Sequence, residues 1–381
     1  MRLILHIGSS KTGTTTVQQF FCRNQAALLA DGFFYPMRSS HTPQHVLIPA
    51  GFVQKRNYSL PNNRFYMDNS NRFWRSFDSF WKKMLDDIEE YKPHTVILSA
   101  ETLFDDFSSI SEKSFSEFLG EYFSDVSIVA YIRSPSADYK SRIFQQIRTA
   151  KQIMPPHVRP IRQVIEYYEH EFPGNVHVYP FEKEQLLGGD ILRDFLTKNT
   201  PELLHLIKAT STEFKNVSLS PVLLKALQKI RLEEQPEGRL PKISTNALVV
   251  WATEAYEKER PKAIESETIG LRDDINLFLQ NSAIDYKWLR EVYGVTFSDL
   301  DYSKIEEKDN PYSDLFLLED ICVLGSANNK LRVDVRVPAS KLLRLLITLR
   351  FILKTQLTGF YKAKISYSWL GKIKRAVLKA V

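Results

Sequence analysis

Cysteine is scarce in this chain. Cys22 and Cys322 are the only two among 381 residues. Two thiols build neither a disulfide framework nor a thiolate metal site. Long apolar runs are missing too: no stretch of eighteen apolar residues occurs, so no ordinary transmembrane helix is expected. No H-E-x-x-H and no acidic cluster of metal-ligand spacing is present, so the chemistry is expected to run without a metal. The chain has no internal repeat and no low-complexity tract, which excludes a solenoid. It has no basic region interleaved with stacking aromatics, so nucleic acid is not an expected partner. The apolar run that opens at Leu3 leaves no room for a cleavable leader, and the expected location is the cytoplasm.

What is present is ordinary in amount and uneven in placement. Hydrophobic residues make up 43% and charged residues 25%, enough for a large core in one main domain with additions. The net charge of +6 hides an asymmetry. Residues 331–381 hold twelve Lys or Arg and one acid, Asp334, whereas the first 330 residues hold 39 basic and 44 acidic side chains. A mildly acidic body with a strongly basic tail points to a polyanionic surface as partner.

The densest chemistry lies near the start, in L-I-L-H-I-G-S-S-K-T-G-T-T-T-V-Q-Q-F-F from Leu3 to Phe21. An apolar strand runs into a loop of Gly, Ser, Lys and Thr. Val17, Phe20 and Phe21 then recur at helical spacing. Strand, glycine-containing loop and helix start make an anion site, because the first helical amides lack internal partners and the helix dipole favours negative charge there. Lys11 adds a full charge. The NTPase pattern G-x-x-x-x-G-K-[ST] is not matched: here the lysine precedes the second glycine by two residues.

The rest of the first 200 residues alternates strand and helix. Strands are predicted at Phe33–Pro36, Thr95–Glu101, Val126–Arg133 and Val176–Pro180. Helices are predicted at Thr14–Ala30, Phe73–Tyr91, Phe115–Tyr122, Asp138–Ala150, Ile161–Glu171 and Ile191–Thr197. Residues 51–71 lack periodicity and read as a long loop. The strands are apolar on both faces, the mark of a parallel sheet covered by helices. Ligands bind such sheets at the carboxyl ends of the strands, where this sequence places Gly8 to Lys11, Glu101 and Arg133. Further helices are predicted at 222–232, 245–260 and 271–279, with Trp288–Tyr293 packing back on the domain.

Arg133 closes a strand, and Ser141 follows eight residues on. A guanidinium and a hydroxyl so placed can clamp a phosphate; read alone, they equally fit a surface ion pair and a solvent-facing serine. Taken with the Lys11 loop, the chain resembles the PAPS-dependent sulfotransferases, in the branch of bacterial carbohydrate-modifying enzymes (PAPS is 3′-phosphoadenosine 5′-phosphosulfate). The resemblance rests on H-I-G-S-S-K-T-G-T-T-T-V-Q-Q at His6–Gln19, V-I-L-S-A-E at Val96–Glu101, Arg133-x7-Ser141, V-H-V-Y-P-F-E at Val176–Glu182 and N-V-S-L-S at Asn216–Ser220. It covers roughly residues 1–300.

The resemblance implies an α/β fold, with a P-loop-type parallel sheet flanked by helices. It implies PAPS as co-substrate, with Lys11, Thr12, Gly13, Thr14, Thr15 and Thr16 on the 5′-phosphosulfate. Arg133 and Ser141 would hold the 3′-phosphate. The family's C-terminal Arg-Lys-Gly nucleotide loop is missing, and Lys215 and Asn216 are its candidate substitutes. Lys11 would stabilise the leaving phosphate. A general base must take the acceptor's proton; His41, His45 and Glu101 are candidates, and the sequence does not separate His45 from Glu101.

The expected organisation is a sulfotransferase domain at 1–300, a linker at 301–330 and a helical, basic, amphipathic extension at 331–381. In that extension Lys364, Lys372, Arg375 and Lys379 fall opposite Trp369, Ile373 and Val377, as in a helix lying on an anionic membrane; docking on the domain or on a second subunit fits the same pattern. The expected acceptor is a carbohydrate or glycolipid at the inner membrane face. The rival readings are a P-loop small-molecule kinase or NTPase, and a non-catalytic nucleotide-binding, membrane-associated protein.

Overall fold

Leu3, Ile4 and Leu5 are apolar in succession because both faces of their strand are covered. The computed structural model describes residues 1–9, 11–37, 45, 70–105, 115–150, 152–209, 224, 225, 227, 228, 232, 269–314 and 316–324. His41, Lys215, Asn216, most of 51–71, the predicted helix at 245–260 and the extension 331–381 lie outside the described residues.

Five strands form one all-parallel sheet: β1 (Arg2–His6), β2 (Phe33–Phe34), β3 (Thr95–Ser99), β4 (Asp125–Ile132) and β5 (Val176–Pro180), in the order β2-β3-β1-β4-β5. Leu5 pairs with Leu98 on one side and Ile128 on the other. The intervening helices are α1 (Thr14–Arg23), α2 (Gln25–Ala30), α3 (Ser70–Tyr91), α4 (Thr102–Asp105), α5 (Phe115–Gly120), α6 (Pro135–Thr149), α7 (Ile161–Glu171), α8 (Ile191–Asn199) and α9 (Leu206–Ala209).

Alternate residues of each strand feed two cores. Leu3, Leu5, Val96, Leu98, Ile128 and Ala130 face one, with Trp81 and Met84 of α3 and Ile165 and Tyr168 of α7. Ile4, Ile97, Val129 and Tyr131 face the other, with Val17, Phe20 and Phe21 of α1 and Phe195 of α8. Each fully buried Phe or Leu contributes about 1.5–3 kcal/mol, so α1 is fastened by its apolar stripe and its N-terminus is held at the end of β1.

Chain order and sheet order differ at the centre. The connection after β1 leaves toward β2 and β3, whereas the connection after β4 leaves toward β5. Neighbouring strands whose connections diverge leave a crevice at their carboxyl ends. That crevice separates the Lys11 loop from Arg133.

The structure differs from expectation in two places. The predicted first helix is two helices, because Asn24 adds a side-chain bond from Nδ2 to the Phe20 carbonyl (2.8 Å) beside its own amide's bond (3.2 Å). Such competition turns the chain at Asn24. The segment 301–330, expected as a linker, carries local structure. Helix α12 (Leu318–Ile321) and strand β7 (Cys322–Leu324) lie in it, and β7 pairs antiparallel with β6 (Ile269–Leu271). The amide of Leu318 donates to Gln228 Oε1 at 2.8 Å, and Phe316 bridges to Ile153. These contacts belong to a compact unit of 143–155, 217–272 and 314–381. The sheet belongs to the other unit, Met1–Arg142, Pro156–Asn216 and Asp273–Ser313, in which α10 (Asp273–Asn281) and α11 (Ile284–Tyr293) lie. Ala283, Tyr286 and Leu289 are buried in the same core as α7.

Candidate active site

Between β1 and α1 the backbone turns left-handed twice, at Lys11 (φ 71°) and at Gly13 (φ 76°, ψ 11°). Glycine suits the second position for two reasons. It tolerates the positive φ, and a Cβ there would sit 3.0 Å from Ile191 and 3.1 Å from Phe181. Gly8 is required by proximity: a Cβ would lie 2.7 Å from His6 Nε2 and 2.9 Å from Thr14 Cγ2. The loop is drawn in by Thr12, buried, whose hydroxyl donates to the Ser9 carbonyl at 2.6 Å. The amides of Thr14 and Thr15 are among the four that an α-helix leaves without internal partners. Thr15 and Thr16 are half-buried.

Thr14 is committed differently from expectation. Its hydroxyl donates to Glu101 Oε1. Glu101 is thereby fixed against the first turn of α1. Burial raises its carboxyl pKa, as does the charge of Asp105. The Thr14 bond and the charges of Lys11 and Arg159 oppose the rise. The net shift is upward, which leaves a more basic carboxylate beside the loop.

His45 lies elsewhere. It is buried, its Nδ1 accepts from the Ser99 amide at 2.8 Å, and its Nε2 donates to the Pro36 carbonyl at 2.6 Å. Both ring nitrogens are spent on backbone groups. Burial lowers its pKa to about 4, so the ring is neutral near pH 7. It joins the ends of β2 and β3 and has no nitrogen left to take a proton. A second imidazole, His6, underlies the loop. Its Nδ1 is 3.0 Å from the Ser99 hydroxyl, which also receives Gln18 Nε2. His6 Nε2 is buried without a hydrogen-bond partner, and burial lowers the ring's pKa to about 3.

Arg133 follows β4, and its guanidinium lies over the Phe181 ring, 4.7 Å from the centroid. Phe181 also abuts Gly13, so one aromatic ring joins the Lys11 loop to the arginine. Burial lowers the Arg133 pKa and the charge of Asp138 raises it; a guanidinium stays charged regardless. Arg133 Nε and Ser136 Oγ are both buried without hydrogen-bond partners. They stand at the N-terminus of α6, where the dipole favours an anion. Ser141 lies half-buried further along α6. Beside this corner, Ser134 Oγ donates to Asp299 at 2.8 Å, and burial raises the Asp299 pKa. The segment carrying Asp299 is docked by the Ser298 amide, which donates to Glu182, and α11 by the Tyr286 hydroxyl, which donates to the Arg133 carbonyl.

The structure thus brings Lys11, Gly13, Thr14, Glu101 and Arg133 to one rim of the sheet, and sets His45 into the core behind it. Sequence reasoning missed Arg159, Phe181, Asp105 and Asp138. Arg159 carried a signal: in P-P-H-V-R-P it is bracketed by prolines, which fix the backbone of a segment that must present a side chain. Among the described residues, no group of His, Cys, Asp and Glu is arranged to hold a metal ion.

No protein-family model matches the chain, and no curated protein matches it. Among solved structures it is similar to a sulfotransferase from Alicyclobacillus acidocaldarius, at 13% identity over 68% of this chain and 97% of that one, with a TM-score of 0.31. It is similar to a gluconokinase from Sinorhizobium meliloti 1021, at 14% identity over 55% and 97%, with a TM-score of 0.22. It is also similar to the sulfotransferase domain of the Synechococcus PCC 7002 olefin synthase, at 11% identity over 68% and 96%, with a TM-score of 0.25. At these identities and TM-scores the likenesses concern the fold alone.

Proposed function

We propose that the chain transfers a sulfuryl group from PAPS to an acceptor hydroxyl or amine. The observation that carries this reading is the pair of anion corners on adjacent strands. One is the Lys11–Thr16 loop at the end of β1. The other is Arg133 and Ser136 at the end of β4, where two buried donors lack acceptors. Phe181 touches both corners. A nucleotide with a 5′-phosphosulfate and a 3′-phosphate presents anions to both.

In the proposed reaction the acceptor oxygen attacks sulfur as the bond from sulfur to the 5′-phosphate oxygen breaks. The acceptor proton passes to Glu101, and adenosine 3′,5′-bisphosphate leaves. Lys11 and the first-turn amides of α1 stabilise charge that grows on the departing phosphate and the sulfuryl oxygens. Glu101 serves as base rather than His45, because it retains a carboxylate beside the loop while the imidazole is spent on backbone. Thr14 orients that carboxylate. Ser141 completes the 3′-phosphate clamp, and Asn216 belongs to the nucleotide site. We assign the acceptor to the carbohydrates or glycolipids and the basic residues 331–381 to an anionic membrane surface, on charge alone.

Calorimetric titration with adenosine 3′,5′-bisphosphate, and separately with ATP and Mg²⁺, tests the reading. Bisphosphate binding that is lost in Arg133→Ala supports it. Preference for ATP and Mg²⁺ replaces it with a phosphoryl-transferring enzyme.

A further inference from the structure

We propose that Arg159 is a positioning residue that clamps the phosphate loop, the Glu101 turn and the start of α6 into one frame. The inference deepens the proposed function and rests on it for its catalytic consequence. Arg159 Nη1 reaches Ser9 Oγ at 3.2 Å and Asp105 Oδ1 at 2.5 Å, and Nη2 faces Asp138 Oδ1 at 3.5 Å. Ser9 follows β1, Asp105 ends the turn of helix that begins beside Glu101, and Asp138 opens the helix after β4. One guanidinium therefore spans the carboxyl ends of three neighbouring strands, β3, β1 and β4.

The arginine is itself held. Asp138 Oδ2 receives Arg142 Nε at 2.7 Å, and Arg142 also contacts His157 Nε2 at 2.7 Å and donates to the His157 carbonyl at 3.0 Å. His157 stands two residues before Arg159, so the segment is bound to α6 at both positions. Asp105 is tied back to the base, its amide donating to the Glu101 carbonyl at 3.3 Å. The Arg159 side chain is only 14% exposed, which limits screening by water and salt. A lysine offers one charged point where this site uses a planar fork. The charged groups acting on the Glu101 carboxylate are Lys11 and Arg159, which favour ionisation, and Asp105, which opposes it.

The test uses the full chain with ¹³C-labelled glutamate side chains, and reads the Glu101 midpoint by NMR in wild type, Arg159→Met, Arg159→Lys and Asp105→Asn. Arg159→Met should raise the midpoint and Asp105→Asn should lower it. Arg159→Lys should leave it near wild type yet reduce kcat about a hundredfold, because misplacing reacting groups by an ångström is enough for that. In Arg159→Lys the fall in kcat should exceed any fall in bisphosphate affinity, which separates misplaced reacting groups from a lost binding site. A Glu101 midpoint and pH–rate profile unmoved in Arg159→Met, with only thermal stability lowered, would overturn the proposal and leave Arg159 a structural residue. If Arg159→Met does not fold, full activity in Arg159→Lys overturns the clamp. Failure of wild type to bind the bisphosphate refutes the proposed function instead, and the Glu101 midpoint still decides the role of Arg159.

Discussion

Replacing Gly13 with alanine should cost more than a left-handed residue alone explains. The backbone there has φ 76°, and an L-residue in that region costs about 1–2 kcal/mol. The added Cβ would also press on two Ile191 carbons at 3.0 and 3.2 Å and on Phe181 Cε2 at 3.1 Å. Crowding a packed site by one methyl costs about 1–3 kcal/mol. The total is about 2–5 kcal/mol. Gly174 supplies the control. It has φ 74°, and nothing lies within 4 Å of its would-be Cβ, so Gly174→Ala should cost only the backbone part. Urea unfolding of both variants measures the difference. The Gly13 variant should also bind adenosine 3′,5′-bisphosphate more weakly, because the displaced Phe181 ring carries the Arg133 guanidinium. Equal destabilisation by the two substitutions, to within about 0.5 kcal/mol, would refute the claim that Phe181 and Ile191 are packed tightly on the loop.

Lys11→Gly keeps the left-handed backbone and removes the ammonium together with its stem. It should lower kcat by about 10²–10³, and an unchanged rate excludes Lys11 from the transition state. Glu101 must be ionised to accept a proton, so activity should rise with pH through a limb above the ordinary carboxylate range. Thr14→Val removes a donor that favours the ionised form and should move that limb to higher pH in the pH–rate profile. Glu101→Gln should abolish the limb together with activity. His45 has its pKa lowered from 6.5 to about 4 by burial, so the unfolded chain binds its proton more readily than the folded one. Its neutral form therefore supports the fold fully above pH 6.5, and about 3 kcal/mol of stability is lost as pH falls toward 4. His45→Gln should flatten the pH dependence of unfolding in that window by about one proton, and calorimetric melts across it measure this. Asp299→Asn should tighten bisphosphate binding in titration calorimetry, by removing a carboxylate beside the Arg133 corner.

The architecture was legible because it is written in local pattern. Apolar runs at Leu3–Leu5 and Ile128–Ile132 demand cover on both faces, and α7 and β5 fall where periodicity placed them. The turn from β1 into α1 was legible because glycine, serine and threonine between an apolar run and a helical stripe have a local mechanical meaning. The wiring of the site was not. Whether a histidine titrates depends on what lies beyond its nitrogens, and the Ser99 amide is fifty-four positions from His45. Thr14 and Glu101 are eighty-seven positions apart, and nothing in either neighbourhood says that the hydroxyl will serve the carboxylate before any ligand. Arg159 sits outside every motif, and its value comes from three strand ends meeting. The short linker-like run at 318–324 lacked periodicity because a one-turn helix and a three-residue strand are too brief to display one.

The imidazole of His45 has a consequence for how this protein can change. It closes the chain on itself, joining the Pro36 carbonyl to the rim of β3. A substitution at His45 therefore frees the Pro36 carbonyl and the Ser99 amide together, and each is a buried polar group left in need of a partner. One ring thus makes two strand ends, far apart in the chain, answer to a single position.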